Sequence, residues 1–386
     1  MRIAHVSDCY LPRLGGIERQ VHELAVRQRR AGHDVAVVTS APGAEHGSAW
    51  EQRDGVQVIA PRRLPGVNPS RVRWDRSLRG RRLVLTGGFD LVHVHASSFS
   101  PLAFLTAKAA SQAGIPTALT AHSLLADHTP LFRWADSIVR WRRWPVAWSA
   151  VSTVAARPLQ QIVGPSVDVA ILPNGVDPAL WKVHRTSRDP ARVVIASVGR
   201  LAVRKRPLAF LRMLRAVRSQ LPSDIRLEGV LVGEGPLRVK IERYVARHHM
   251  ESWVSLPGAA CHSQIRDLYA EADIYVAPAT LESFGIAALE AHCAGLPVVA
   301  HSGSGVADFI TNGVDGFLVD DDSNMVESIA NLCASPLLRQ QMGSHIQAQD
   351  PAIDWSRVLA ATDELYARAR ALAWAVGRVT VPAGVA

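Results

Sequence analysis

The 386 residues are 48% hydrophobic and 20% charged, a balance that excludes a disordered or collagen-like chain and gives enough length for two or three domains. The four cysteines, Cys9, Cys261, Cys293 and Cys333, form no CxxC pair and no regular spacing. Neither a disulfide framework nor a thiolate zinc site is indicated, and a reducing cytoplasm fits best. The net charge of +9 is uneven: residues 1–180 hold 21 Arg and Lys against 13 Asp and Glu, and residues 181–386 hold 22 against 21.

MRIAHVSD opens on a strand pattern rather than a leader, and no apolar run reaches the roughly 20 residues of a spanning helix. A chain neither exported by such a signal nor threaded through a membrane is expected. Short β-branched runs follow at Ile3 to Ser7, Val35 to Thr39, Val56 to Ala60, Leu91 to His95, Thr117 to Thr120 and Val169 to Leu172, with helical stretches between them. This alternation predicts parallel βαβ units. In the first helix Ile17, Val21, Leu24 and Ala25 share one face, and Gly32 stands where a C-cap belongs.

A second series starts near Val193 and continues through Leu227 to Val232, Ile274 to Pro278, Val298 to Ala300 and Phe317 to Val319. It predicts another doubly wound sheet. Between the two, PNGVDPALWKVHRTSRDPAR is broken by three prolines and Asn-Gly, which places a linker at about 178–192. The chain therefore divides into an N-terminal Rossmann-like domain, 1–178, a C-terminal Rossmann-like domain, 192–352, and a last helix, 353–376. Facing each other, two such sheets leave a cleft lined by their C-terminal ends, so a shared active site is expected.

Four segments carry chemistry. In ESFGIAALE, Glu282 and Glu290 stand at either end of a helix start that includes Ser283, Phe284, Gly285 and Ile286. Free amides at such a helix start attract phosphate oxygens. Eight residues of helix rise about 12 Å, so one carboxylate can reach a sugar while the other reaches a ribose. Two solvated glutamates would have the same spacing. In GRLAVRK, Arg200 and Lys205 follow a strand and can converge on a diphosphate, where fixed cations stabilise the charge of a leaving group; a solvated basic loop is the plainer reading. Gly15 and Gly16 precede the first helix and can admit a ligand close to the backbone, or simply make a tight turn. His122 ends a strand of the first domain, as a site or a core histidine.

Together with GGIERQVHELAVRQRRAGHDVAVVT, PNGVD at 173–177, VGEGP at 232–236, ADIYVAPATLESFGIAALEAHCAGLPVV at 272–299 and NGVDGFLV at 312–319, these segments resemble the retaining glycosyltransferases of family 4, over essentially the whole chain. The resemblance implies a GT-B fold of two Rossmann-like doubly wound α/β domains facing a central cleft. It implies that Glu282 contacts the transferred sugar and Glu290 the ribose. Arg200 and Lys205 would hold the diphosphate, helped by amides near Phe284, Gly285 and Ile286. His122 would lie beside the anomeric centre, Gly16 near the donor phosphate or acceptor, and the last helix would cross back onto the first domain. Retention would use a donor phosphate oxygen as the base, with no protein nucleophile. The chain departs from the family at Ser123, where Asp is common, and at Asp308, where Glu is usual. No Asp-x-Asp motif stands in a suitable loop, so no metal and no other cofactor is expected.

The acceptor side is basic. Residues 62–82 hold eight arginines and one acid, and 133–148 interleaves Arg133, Arg140, Arg142 and Arg143 with Trp134, Trp141, Trp144 and Trp148. Such a pattern suits a lipid-linked or phosphorylated acceptor and an anionic membrane surface, and equally a solvated face beside a Trp-rich helix packed in the core. The expected partners are a nucleotide-sugar donor and a lipid-linked, phosphorylated or glycan acceptor, met in the cytoplasm or at the inner face of the cell membrane. Nucleic acid is not expected, since no recognition motif accompanies the charge. The expected activity is a retaining hexosyl transfer, with the donor leaning to GDP-mannose through a likeness to bacterial phosphatidylinositol mannosyltransferases. UDP-glucose and UDP-N-acetylglucosamine stand next. An epimerase or hydrolase of the same fold, or a non-catalytic sugar-nucleotide-binding subunit, would account for the same residues.

Overall fold

Two buried sheets organise the computed structural model, which describes residues 1–12, 15–41, 50–60, 69–125, 136, 139–183 and 189–380. The chain forms two units, Met1–Gly175 with Trp355–Ala386, and Val176–Asp354.

The first unit is built on β1 (Arg2–Ser7), β2 (Asp34–Thr39), β3 (Trp50–Arg53), β4 (Val56–Ile59), β5 (Leu91–Ala96), β6 (Thr117–Ala121), β7 (Ala147–Ala150) and β8 (Val169–Ile171). They lie in the order β3-β4-β2-β1-β5-β6-β7-β8. Every pairing is parallel except β3 with β4. Helices connect parallel strands and cover both faces, which is why β1, β2 and β5 read as continuous buried runs. Within these buried runs β1 places His5, and β5 places His93 and His95. Buried imidazoles need partners, and these turn out to form a connected group.

The closing helix Trp355–Thr380 belongs to this unit and packs on β6 and β7. The Arg27 guanidinium stacks over the Trp355 ring at 4.4 Å, and Tyr366 of the same helix is fully buried. The second unit orders β9 (Arg192–Val198), β10 (Arg226–Val232), β11 (Val254–Gly258), β12 (Ile274–Ala277), β13 (Val298–His301) and β14 (Gly316–Val319) as β11-β10-β9-β12-β13-β14. All are parallel. Helices Pro207–Gln220 and Asp322–Ala334 pack together over a core that includes Ile195, Phe210, Leu214 and Ile329.

Three strands lie outside the sequence expectation. β3 is a polar edge strand, WEQR. β11 contains Pro257. β7, AWSA, sits in the Arg/Trp stretch read as surface or helix. The predicted linker is in part structured: Asp177 caps the short helix Pro178–Trp181 by accepting from the Ala179 amide, and Trp181 is buried against His262 and Tyr269. Residues 184–188 lie outside the described residues. Among the described residues no helix is long and apolar enough to cross a membrane.

Candidate active site

β9 lies between β10 and β12, so it is the strand at which the winding reverses, and its C-terminal end is the natural ligand position of such a sheet. The chain leaves β9 through Gly199, Arg200 and Leu201. The Gly199 amide donates to Val232 O at 3.0 Å and the Leu201 amide to Glu234 O at 2.9 Å, locking this loop to the one after β10. Gly233 and Gly235 there have φ of +142° and +159°. A Cβ on Gly233 would overlap the Gly199 carbonyl, and one on Gly235 the Leu201 carbonyl. VGEGP is thus the imprint of two backbones in contact. Replacing Gly233 with Ala should cost about 2–4 kcal/mol and lower the urea midpoint; an unchanged midpoint would mean that the loops part freely.

A hollow of about 500 Å³, counting the space open to solvent, lies at this edge. Arg200, Lys205, Glu282, Gly285 and Ile286 line it. Arg200 is exposed, and its guanidinium has no hydrogen bond or ion pair among the described residues. Lys205, at the end of the turn Val203–Lys205, pairs with Glu282. An ammonium has three protons to donate, so Lys205 can hold that carboxylate and a further oxygen together. Gly285 has φ +92° as N-cap of helix Ile286–Cys293, and a Cβ on it would come 2.6 Å from Val306 Cγ2. The first amides of that helix to bond back to its cap are those of Ala288 and Leu289. Those of Ile286 and Ala287 are left with no backbone acceptor among the described residues, at the positive end of the helix. Phe284 is buried against Phe309, with ring centroids 5.7 Å apart, and anchors the loop. Burying such a ring is worth about 2–3 kcal/mol.

Ser283 and Glu290 are outside that lining. Glu290 is only 5% exposed, buried along the helix. Two lining or supporting groups had no motif to announce them. Tyr275 donates to Val198 O at 3.2 Å, and burial, reinforced by the carboxylates of Glu282 and Glu290, raises its pKa so that it stays a phenol. Arg206, left-handed at φ +51°, forks onto Asp322 at 2.7 and 2.8 Å and donates to Pro278 O at 3.0 Å. It ties the cationic loop to the end of β12. The hydrogen bonds from Arg206 hold the Asp322 carboxyl below its usual range.

The first unit carries the other predicted residues. Gly15 is the extended N-cap of helix Gly16–Arg30, and the Glu18 carboxylate folds against it. His122 lies beyond β6, 8% exposed, and lines a second pocket with His95, Thr120, Asn174 and Trp355. Its Nε2 meets His95 Nδ1 at 3.0 Å, and His95 Nε2 meets His5 Nδ1 at 2.9 Å. Burial pushes His5 and His122 down to about 4, against upward contributions from hydrogen bonds to Gln28 and Asn174 respectively, and burial also holds His93 and His95 well below the usual imidazole range. Among the described residues His5, His93 and His95 are the group close enough to share a metal ion. Both nitrogens of each ring already face hydrogen-bond partners.

The sequence signature of the group described as Glycosyltransferase Family 4 matches residues 14–180, and that of Glycosyl transferases group 1 matches residues 183–349. The chain belongs to the family 4 glycosyltransferases. It is 25% identical to the glycogen synthase of Mycobacterium tuberculosis over 96% of this chain and 95% of that protein. It is 24% identical to the phosphatidylinositol N-acetylglucosaminyltransferase GPI3 subunit of Saccharomyces cerevisiae over 94% of this chain and 82% of that one. The Anabaena HepE structure in complex with UDP and glucose matches with a TM-score of 0.72 at 20% identity, over 95% of this chain and 99% of that chain. This likeness gives the fold: two Rossmann-like units of the GT-B class.

In this glycosyltransferase the described tryptophans of the stretch 133–148 are not surface groups. Trp141, Trp144 and Trp148 are buried, stepping from the turn Trp141–Arg143 into β7 rather than along a helix, with centroids 4.8 and 6.1 Å apart. Arg140, Arg142 and Arg143 stay exposed. Trp134 and Arg133 lie outside the described residues, as do Arg62 and Arg63, and of Arg71 and Arg73 only the backbone, in helix Pro69–Thr86, is described.

Proposed function

We propose that this glycosyltransferase moves a glucosyl or N-acetylglucosaminyl unit from a UDP-sugar to a hydroxyl of a glycan, lipid-linked or phosphorylated acceptor, with retention at the anomeric carbon. The observation that carries the reading is the convergence of Arg200, Lys205, Glu282 and the free amides of Ile286 and Ala287 on one pocket at the β9 edge. In this reading the bond from C1 to the diphosphate oxygen breaks as the acceptor oxygen bonds to C1 on the same face, and the acceptor proton passes to the departing diphosphate. Arg200 and Lys205 take up the charge released on the leaving group. Glu282 recognises sugar hydroxyls, Glu290 is assigned the ribose from its place eight residues on, and His122 is assigned to the sugar by the family resemblance.

The donor differs from the GDP-mannose favoured by sequence. N-acetylglucosamine in the name of the yeast relative, and UDP and glucose in the Anabaena complex, speak for a uridine donor. The four free thiols favour a cytoplasmic setting. Contact with anionic lipid would fall to the exposed arginines and to Trp74, 51% exposed within the basic stretch 62–82, since Trp141, Trp144 and Trp148 are buried.

A thermal-shift and turnover panel of UDP-glucose, UDP-N-acetylglucosamine, GDP-mannose and ADP-glucose, with and without chelator, tests the assignment. Ligands of the folded state raise its apparent stability, by about 2.7 kcal/mol at a hundredfold excess over Kd. A UDP-sugar should give the largest shift. A GDP-mannose preference restores the first donor, donor loss independent of acceptor points to hydrolysis or epimerisation, and binding without turnover on any acceptor to a regulatory subunit.

A further inference from the structure

Arg206 stands at a backbone position that disfavours arginine twice over. Four described residues other than glycine, Asp54, Arg140, Arg206 and His249, have positive φ, and of these Arg206 alone precedes a proline. An L side chain crowds the backbone in the left-handed region, and a following proline presses the residue before it toward an extended conformation. Both preferences are overridden at 206, where φ is +51° and ψ is +43°. Such a conformation persists only where its surroundings impose it.

The side chain supplies the restraint. Its guanidinium forks onto Asp322 through Nη1 and Nη2 at 2.8 and 2.7 Å, and Nη1 also donates to Pro278 O at 3.0 Å, with His301 Nε2 3.1 Å away. A bidentate, charge-assisted contact fixes direction as well as distance. Both anchors are firmly held. Asp322 opens helix Asp322–Ala334, which Asp321 caps by accepting from the Asn324 amide and which packs on helix Pro207–Gln220. Pro278 directly follows β12.

The backbone at 206 joins two pieces that the site needs in a fixed relation. Before it lies the turn Val203–Lys205, closed by the Lys205 amide on Ala202 O and the Arg206 amide on Val203 O, both at 3.0 Å. After it the helix begins, with the Ala209 amide on Arg206 O at 3.0 Å. Rotating φ into the ordinary negative range would swing the turn, and Lys205 with it, away from Glu282. Lys205 lines the hollow at the β9 edge and Arg206 does not, so Arg206 can serve the site only through its neighbour.

We propose that Arg206 is a positioning residue: its grip on Asp322 and Pro278 holds a left-handed backbone that aims Lys205 at Glu282 and at the diphosphate of a bound donor. The diphosphate rests on the transferase reading above; the link from Asp322 to Lys205 does not. What the site uses is the backbone angle at 206 and not the charge there. Glycine takes that angle without help, so loss of the side chain should do harm only while a Cβ remains.

Arg206→Ala keeps the Cβ and loses the grip, Asp322→Ala keeps the arginine and loses its anchor, and Arg206→Gly loses a grip that it does not need. Misplacing a catalytic group by about 1 Å can cost up to about 100-fold, so kcat on the sugar nucleotide that the parent uses should fall by about 10- to 100-fold in Arg206→Ala and Asp322→Ala. It should return to within about threefold of the parent in Arg206→Gly and in Arg206→Gly/Asp322→Ala, because glycine relieves the strain. Parent-like turnover in Arg206→Ala overturns the proposal. So does an Arg206→Gly as slow as Arg206→Ala, which would make the guanidinium itself the working part.

A second measurement is independent of turnover. The chain has four lysines, Lys108, Lys182, Lys205 and Lys240, so acylation with acetic anhydride followed by peptide mass spectrometry compares Lys205 with three internal references. An amine lifted off its carboxylate meets the reagent more readily. Lys205 should label several times faster in Arg206→Ala and Asp322→Ala than in the parent, and at the parent rate in Arg206→Gly. Equal labelling in all four proteins overturns the link from Asp322 to Lys205. If the parent turns over none of UDP-glucose, UDP-N-acetylglucosamine and GDP-mannose on any acceptor, the transferase reading fails, while the labelling still decides the link.

Discussion

Acidification from pH 6.5 to pH 4 should unfold this protein. His5 and His122 are pushed from 6.5 to about 4 by burial. Over that range the unfolded chain takes up protons that the folded chain refuses, so stability falls as the pH falls. The loss is absent above about pH 7 and complete once the pH reaches the folded values. At about 1.4 kcal/mol per pH unit, each of the two rings accounts for about 3 kcal/mol, and His93 and His95 act in the same direction. Together the first two consume about 6 kcal/mol, against roughly 5–15 for a whole domain. Urea midpoints between pH 7.5 and pH 4.5 should drop with a slope of at least two protons. A flat profile would mean that these imidazoles are solvated in solution.

Arg200→Ala should reduce kcat by about 10²- to 10³-fold, the loss seen when one fixed group that stabilises developing charge is removed, while leaving the fold intact. The guanidinium is exposed and holds no partner among the described residues, so its removal should change stability by no more than about 0.5 kcal/mol. That separation makes Arg200 a cleaner probe than Lys205, whose loss would also strip Glu282 of its counter-ion. Steady-state kinetics with saturating UDP-sugar, alongside an unchanged melting temperature, would carry the assignment. Activity within a factor of three of the parent would remove Arg200 from the reaction.

The sheets were legible because strands buried on both faces leave unbroken β-branched runs, as at Val193 to Val198 and Val35 to Thr39. β7 was not, since its small and aromatic residues, Ala147 to Ala150, follow arginines and a proline and give no such run. In the second unit, Arg200, Lys205, Glu282 and Gly285 could be gathered from sequence because both loops leave the C-terminal ends of strands β9 and β12, which pair directly. Tyr275 was hidden as one more strand residue, and Arg206 as one more basic residue after Lys205. The histidine group was invisible for a different reason. His5, His93 and His122 become neighbours only when β1, β5 and β6 align. The local trace was His93 and His95, two residues apart on one face of β5.

The first unit is discontinuous: its sheet comes from Met1–Gly175 and its closing helix from beyond Trp355. A ribosome therefore finishes the whole of Val176–Asp354 before it delivers Tyr366, whose hydroxyl completes the Gln28 and His93 contacts. During synthesis the unit whose sheet comes first must wait longest for its last piece, holding an unfinished polar core until the chain's end arrives.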